Sequence, residues 1–329
     1  MSMSTRISIA MAVYNGGCFI SEQLESMIRQ TRLPDELVVS DNASTDLTIE
    51  IVREFAARAP FPVRLFINDS NLGVTKNFER AITECTGDII FLSDSDDVWY
   101  PEKIEVMAQL LEINPHIAIA LCDADIVDEA LRPTGQRVWQ RCRFLPTAET
   151  EKRMSDTGPC DPSFLAYGNA MAFRAMIKPL ILPLPDSAIF KTGLHDGFIV
   201  LAATCSGTGG IGLVRKPLVA YRQHRNQMSG DCNNKQSLVH RLGVSWAARK
   251  ERPRPVLLPV IERFGQHPAL HDPRRAYLKE MLLHANTRYT LPRQKLKRIP
   301  LITAELVSLR YQKFSNGLIT AVRDALFVE

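Results

Sequence analysis

Five apolar segments of strand length alternate with four segments of helix length over the first 125 residues, and this order constrains the fold more than any single motif. Arg6–Val13, Glu36–Ser40, Val63–Ile67, Asp88–Leu92 and Ile117–Cys122 read as strands. Phe19–Gln30, Ser44–Ala59, Val74–Cys85 and Pro101–Ile113 read as helices. In Ser44–Ala59, for instance, Leu47, Ile51, Val52, Phe55 and Ala59 share one face. Pro101 suits a helix's first turn, where its missing N–H costs nothing. The alternation predicts an α/β fold with a mostly parallel sheet flanked by helices. Ligands of such sheets bind beyond the carboxyl ends of the strands. The polar clusters of this chain fall there: Tyr14–Gly17 after the first strand, Asp41–Asp46 after the second and Asp94–Asp97 after the fourth.

Beyond residue 125 the pattern loosens. Residues 125–165 read as an irregular, variable segment, and Phe164–Phe173 as a strand leading into a helix. His195–Cys205 reads as a helix and Leu213–Tyr221 as extended. From Leu238 the chain reads as helical, punctuated by prolines 253, 255, 268, 273, 292 and 300. The expected division is a domain over 1–230 and a basic, mainly helical region over 231–329. The charge changes sign close to that boundary. From Arg241 to Glu329 there are 17 Lys/Arg against 7 Asp/Glu, a net +10, while the residues before carry a net −6. Contact with something anionic, such as an anionic membrane surface, is the partner this tail suggests; a solvated helical face is the plain alternative.

No run reaches the roughly 18 consecutive apolar residues that suggest a membrane span, and MSMSTRISIAMAVYNGG reads as a first strand rather than a cleavable leader. The seven cysteines are scattered with no C-x-x-C pair, so reduced thiols are expected rather than a disulfide frame or a zinc site. A cytoplasmic protein follows as the expectation, with peripheral contact at the inner face of the membrane as its extension.

The sharpest local feature is Phe91-Leu92-Ser93-Asp94-Ser95-Asp96-Asp97-Val98-Trp99. Three carboxylates within four residues at a strand end repel one another, and a hard divalent cation shared with phosphate oxygens relieves that repulsion. Magnesium or manganese suits such oxygen ligands; a solvated acidic turn is the bland counterpart. Asp41 is placed to accept a hydrogen bond from a base N–H, with Ser44 or Thr45 as candidate caps of the next helix. Asn71 and Lys76 open the third helix, where Lys76 is placed to reach a diphosphate. Asp196 starts a helix and is a candidate for either a general base or an N-cap. Tyr221-Arg222-Gln223-His224 ends a strand: Arg222 or Arg225 suits a phosphate and His224 a metal shell.

Together these segments resemble glycosyltransferase family 2, the inverting enzymes of the GT-A fold. The carrying stretches are IAMAVYNG, EQLESMIRQTRLPDELVVSDNASTD, NLGVTKNFERAI, GDIIFLSDSDDVWYPEKI, GNAMAFR, LHDGF and YRQHRNQMSG, spread over roughly residues 5 to 230. They look especially like bacterial polysaccharide and O-antigen enzymes, rhamnosyltransferases among them. The resemblance implies a Rossmann-like GT-A domain with a helical C-terminal extension. It puts base recognition on Asp41, metal binding on Asp94 and Asp96 with His224 near the diphosphate, and the catalytic acid on Asp196. Ala12, Val13 and Tyr14 are expected under the nucleoside, with Asn71, Lys76, Asp94, Ser95 and Arg222 completing the donor site. Asn42 departs from a second acid common in the family, and Gly197 from a frequent aromatic.

The expected activity is transfer of one sugar from a dTDP- or UDP-linked donor, dTDP-rhamnose among the candidates, to a saccharide or lipid-linked acceptor. A Q-x-x-R-W motif and a membrane span, which processive synthases show, are both missing, favouring single transfer; nucleic acid is not an expected partner. A nucleotidyltransferase needs a Gly-rich basic loop where Tyr14-Asn15-Gly16-Gly17 stands. A dinucleotide oxidoreductase needs G-x-G-x-x-G there. A non-catalytic sugar-nucleotide-binding module has no need of Asp196 or His224.

Overall fold

The computed structural model describes residues 5–142, 167–184, 195–205 and 210–225 together with 144, 146–148, 151 and 227, and toward the C-terminus residues 276, 279–280, 283–284, 286–288, 290–292, 294–314 and 318–327. The chain divides into two compact units, Met1–Gly230 and Asp231–Glu329.

The first unit is built on one mixed sheet. Its strands are β1 (Ile7–Val13), β2 (Glu36–Asp41), β3 (Val63–Ile67), β4 (Ile89–Ser93), β5 (Val98–Trp99), β6 (Ile117–Val127), β7 (Pro133–Arg137), β8 (Met171–Arg174) and β9 (Gly210–Arg222). They lie in the order β3-β2-β1-β4-β8-β6-β9-β5, with β7 paired to β6. β3, β2, β1 and β4 are parallel, as the alternation predicts. The chain winds from β1 outward to β3 and then returns to β4 on the other side of β1, which makes the β1/β4 seam the topological switch point. Past β4 the sheet turns mixed: β8 runs antiparallel to β4 and β6, and β9 runs parallel to β6.

Helices α1 (Ile20–Ile28), α2 (Thr48–Ala56), α3 (Val74–Glu84) and α4 (Lys103–Ile113) cross over between strands; α5 (Val138–Arg141), α6 (Lys178–Ile181) and α7 (His195–Cys205) follow. Ile9, Met11, Leu37, Val39, Ile89 and Phe91 of the central strands meet Leu24, Met27, Val52, Phe55, Met107 and Leu111 of the helices in one core. A fully buried side chain of this size is worth roughly 1.5–3 kcal/mol over its exposed state, so the core dominates what holds the crossovers in place.

Three expectations need correction. The helix expected over Ser44–Ala59 begins at Thr48, because Asp41 and Asp46 capture the N–H groups of Ser44 and Thr48 in the preceding loop. Part of the segment expected to be irregular, 125–165, is ordered: β6 runs on to Val127, and the side chain of Asp128 accepts from the N–H groups of Ala130 and Arg132 to fold the chain back into β7. The exposure of all five β7 residues explains why no apolar signal marks it. The strand expected within Phe164–Phe173 is Met171–Arg174, preceded by a buried 3-10 turn, Gly168–Ala170; residues 164–166 lie outside the described residues.

In the second unit α8 (Lys295–Val307), α9 (Arg310–Phe314) and α10 (Leu318–Phe327) pack on Leu291, Ile302, Tyr311 and Ala321. A buried polar set sits with them: His284 with Glu305, and Tyr311 and Arg288 with Asp324. Most of the prolines noted in this region, and Arg241 itself, lie outside the described residues. Among the described residues no helix is long and apolar enough to cross a membrane. Cys18, Cys85, Cys122 and Cys142 are thiols outside any disulfide.

Candidate active site

Two loops close on each other at the carboxyl ends of β1 and β2. Asn15 and Ala43 both take left-handed backbone conformations (φ 49° and 63°), a costly choice for residues with a Cβ and one that gathers at functional sites. Asn15 accepts from Thr45 N–H and donates its own N–H to Ser44 Oγ, both at 2.9 Å. Asp46 accepts from Gly17 N–H at 2.9 Å and from Thr48 N–H at 3.1 Å. Burial works to raise the Asp46 pKa, and these bonds outweigh it, so the carboxyl lies below its ordinary value. A Cβ at Gly16 would stand 2.9 Å from both Ser95 Oγ and Val13 Cγ2, so the β1 turn packs closely on the acidic loop after β4.

Asp41 is fully buried. Its Oδ1 accepts from Ser44 N–H at 2.9 Å, while Oδ2 has no hydrogen-bond partner. A buried carboxylate oxygen left bare is costly, and a ligand donor is what would relieve it. Asn42 instead ties the loops together, donating to Asn71 Oδ1 at 2.7 Å and accepting from Leu72 N–H at 2.8 Å. Asn71 is thereby engaged in the loop frame. Ala12 and Val13 are buried at the end of β1, whose Val13 carbonyl accepts from Asn42 N–H and Asn77 Nδ2, while Tyr14 is half exposed beyond them.

The acidic loop divides its labour. Asp94 is partly buried, and burial, then Asp96, Asp97 and Asp196, push its pKa well above the carboxylate range while buried Lys103 opposes them. Asp96 Oδ2 lies 2.9 Å from His224 Nε2. Asp97 is fully buried and spent on structure: one oxygen accepts from Arg222 N–H at 2.9 Å and the other from Asn169 Nδ2. Burial and Asp96 raise its pKa to about 7.

Two cations depart from expectation. Arg222, expected to face phosphate, is buried, and its guanidinium donates to the carbonyls of Asp96 and Glu129 and to the Glu22 carboxylate. Through these bonds it clamps the acidic loop to β9. Lys76, expected at a diphosphate, reaches Glu79 at 2.8 Å and the Leu184 carbonyl at 3.1 Å, bracing α3.

Asp196 lies in the first turn of α7 and is 5% exposed. Burial raises its pKa to about 7 against the pull of N–H bonds from Gly197 and Gly168. Its charge is one of those that raise the Asp94 pKa. His195 packs flat on Phe78, ring centroids 4.1 Å apart, with both ring nitrogens unpartnered; burial lowers its pKa to about 3 and keeps it neutral.

Sequence reasoning missed Lys103, Asn169 and Glu22. Lys103 had a signal: it shares the buried face of α4 with Met107 and Leu111, at helical spacing. Its ammonium stands 3.6 Å from the Trp99 ring centroid and donates to the Asn169 carbonyl, and burial lowers its pKa to about 7.

Among the described residues no three acidic, histidine or cysteine side chains form a ready metal cage. The donor set nonetheless fits a magnesium-type cation, which is commonly held by one or two carboxylates with substrate phosphates completing the shell. Asp94 and Asp96 supply the carboxylates, and the repulsion that adds to burial in lifting the Asp94 pKa is what a cation relieves.

Comparisons with known proteins bear on the fold and the family. Two solved structures share the fold: S. aureus TarS 1–349 in complex with UDP-GlcNAc (TM-score 0.58, 14% identity, 97% of this chain and 88% of that one), and the mannosyltransferase PcManGT of Pyrobaculum calidifontis in complex with GDP-Man and Mn2+ (TM-score 0.50, 18% identity, 99% and 88%). The dTDP-rhamnosyl transferase RfbG of Shigella flexneri is 30% identical over 243 residues, 71% of this chain and 78% of RfbG. Residues 8–180 match the family described as Glycosyl transferase family 2. With its GT-A sheet and a match across more than half its length, the chain belongs to glycosyltransferase family 2.

Proposed function

We propose that the chain is an inverting glycosyltransferase that moves one sugar from a nucleotide-linked donor to a hydroxyl of a saccharide or lipid-linked acceptor in cell-surface polysaccharide synthesis. One observation carries this reading. Asp94 and Asp96 directly follow β4, the strand beside β1 at the switch point, and the separate buried carboxylate Asp196 is among the charges that act on Asp94. RfbG, by its name, makes dTDP-rhamnose the first donor to test, and the UDP-GlcNAc bound by TarS makes UDP-sugars the second.

In this reading Asp41 Oδ2 accepts the N–H of a pyrimidine base, which supplies its missing partner. Asp94 and Asp96, with His224 against Asp96, would hold a divalent cation, as the Mn2+ in PcManGT suggests. Bound there, Mg2+ or Mn2+ supplies positive charge against a departing nucleoside diphosphate. Asp196 removes the acceptor proton as the new bond forms on the face opposite the leaving group, so one displacement inverts the anomeric centre. A pKa of about 7 suits a base working near neutrality. The Gly168 and Gly197 N–H groups hold its carboxylate in place.

The test is a transfer assay with dTDP-rhamnose and UDP-sugars over a panel of acceptors, with and without EDTA. Release of nucleoside diphosphate with a glycosylated acceptor supports the reading. Full activity in chelator sinks the cation, and release of pyrophosphate would point to a nucleotidyltransferase.

The second unit supports a peripheral contact with anionic lipid. α8 turns its polarity outside in: Arg298 and Glu305 are buried, while Leu296 and Val307 are 81% and 78% exposed. Lys295 and Lys297 flank that stripe, and each basic residue near an anionic surface contributes roughly 1 kcal/mol. Sedimentation with anionic and neutral vesicles at low and high salt decides it; equally poor binding to both rejects the lipid partner.

A further inference from the structure

The buried 3-10 turn Gly168–Ala170 is touched from both sides of the reaction. The Gly168 N–H donates to the Asp196 carboxylate. Next to it, Asn169 Nδ2 donates to Asp97 Oδ2, and the Asn169 carbonyl accepts from Lys103 Nζ. The path continues through Asp97 Oδ1 to Arg222 N–H at 2.9 Å, from Arg222 Nε to the Asp96 carbonyl at 2.7 Å, and from Asp96 Oδ2 to His224 at 2.9 Å. The turn then enters β8, which pairs Ala172 with Phe91 of the strand carrying Asp94.

The chemistry at 169 is particular. Asp97 has neither oxygen to spare for a ligand, and it is buried among like charges. Position 169 supplies it with an uncharged donor through the compact side chain of asparagine. The amide is held that way even though its own Oδ1 is left buried without a partner, an arrangement that costs free energy unless it serves something else. Below it, Lys103 is 0% exposed, a buried cation facing the same carboxylates. Cation, amide and carboxylate form a strut under the acidic loop.

We infer that Asn169 is a positioning residue for the transfer reaction: through Asp97 and Arg222 it sets the loop bearing Asp94 and Asp96, and through the adjoining Gly168 N–H it sets Asp196, so that one turn spaces the donor-side and acceptor-side carboxylates. This rests on the reading of Asp94 and Asp96 as the cation site and Asp196 as the base. A general packing role would show in stability alone. A positioning role shows in ligand affinity and turnover, and in rescue when donor and acceptor are exchanged.

The experiment uses the full chain and three proteins: wild type, Asn169→Asp, and Asn169→Asp combined with Asp97→Asn. The single variant sets carboxylate against carboxylate; the double variant restores one donor and one acceptor with the original charge. Calorimetry with manganese plus UDP or dTDP gives the affinity, and slow donor hydrolysis gives kcat and KM separately. Asn169→Asp is expected to weaken nucleotide binding in manganese, and to lower kcat, by about tenfold or more, as supporting residues of metal sites do. The exchange is expected to bring both back to within about threefold of wild type, because it restores a complementary donor and acceptor between residues in contact. Unchanged affinity and kcat in Asn169→Asp would overturn the inference. So would a well-folded double variant that stays as impaired as the single one, and that comparison against wild type still decides the matter if the single variant does not fold. Wild type that binds neither nucleotide in manganese removes the reading of the site itself, and the inference with it.

Discussion

The two ends of the parallel half of the sheet treat buried carboxylates in opposite ways. At the amino end Glu36, the first residue of β2, accepts from Ser8 Oγ and Thr86 N–H at 2.6 Å, from Thr86 Oγ1 at 2.9 Å and from Arg64 at 2.8 Å. Burial works to raise its pKa, and the bonds from Ser8, Thr86 and Arg64 outweigh it and hold the pKa at about 2. At the carboxyl end Asp94 and Asp196 are pushed up and Asp41 keeps a bare oxygen, while Asp97 beside them is bonded at both oxygens. One end spends its charge on internal partners and gains stability. The other leaves charge under-compensated, where a ligand, a cation or a proton can complete it. Buried carboxylates thus sort by how fully the fold satisfies them, which burial alone does not reveal.

The largest effect expected from breaking this contrast is at Asp196. Asp196→Asn keeps the shape and removes the basicity, so kcat should fall roughly 10²–10⁴-fold with nucleotide affinity and melting temperature preserved. If kcat stays within a few-fold of wild type, the residue is an element of the helix start alone. The pH profile carries the same information. With a pKa near 7 the ionised, proton-accepting form of Asp196 is lost as pH falls through 7, so wild-type kcat should drop on that limb. The residual activity of the Asn variant should lack the drop.

Glu36 should give the mirror image. Its folded pKa lies below the unfolded value, so its stabilisation is present above pH 4.5 and drains away as pH falls toward 2. Glu36→Gln should cost about 3 kcal/mol in a denaturant titration near neutral pH, the order of the shift converted at 1.36 kcal/mol per unit, with kcat per folded molecule unchanged. A variant as stable as wild type would erase the contrast.

Smaller effects sharpen the picture. Asp41→Ala should weaken pyrimidine nucleotide binding by about 1–3 kcal/mol, the cost of a buried partner left unpaired, with the fold intact. An unchanged dissociation constant makes Asp41 a loop-shaping residue only. Lys76→Met should change nucleotide affinity little and stability by roughly 0–1 kcal/mol, as befits a half-exposed ion pair with Glu79. A marked loss of affinity would return Lys76 to the diphosphate.

The parallel core was legible because strand and helix periods write directly into apolar spacing, as at Val52 and Phe55 of α2 or Met107 and Leu111 of α4. The strand-end acids were legible too, since a carboxylate directly after a buried strand has few bland uses. β5 and β7 were not: the first is two residues long and the second wholly exposed, so neither carries a period. Arg222 and Lys76 look alike in sequence, two cations close to polar loops. What separates their roles from those expected is Glu22, 200 positions from Arg222, and Leu184, 108 positions from Lys76.

The amino-acid sequence by itself determined the α/β order, the family and the places where acids stand at strand ends, because these follow from short-range spacing. The tertiary structure alone decided which acids are satisfied and which are left open. Glu36 and Asp196 are both buried carboxylates, and only their long-range neighbours separate a pKa of about 2 from one of about 7. It also decided that Asn169, given no role of its own within GNAMAFR, joins Lys103 to Asp97. Proton affinity and positioning depend on what lies within a few ångströms, and in a crossover fold those neighbours come from distant parts of the chain.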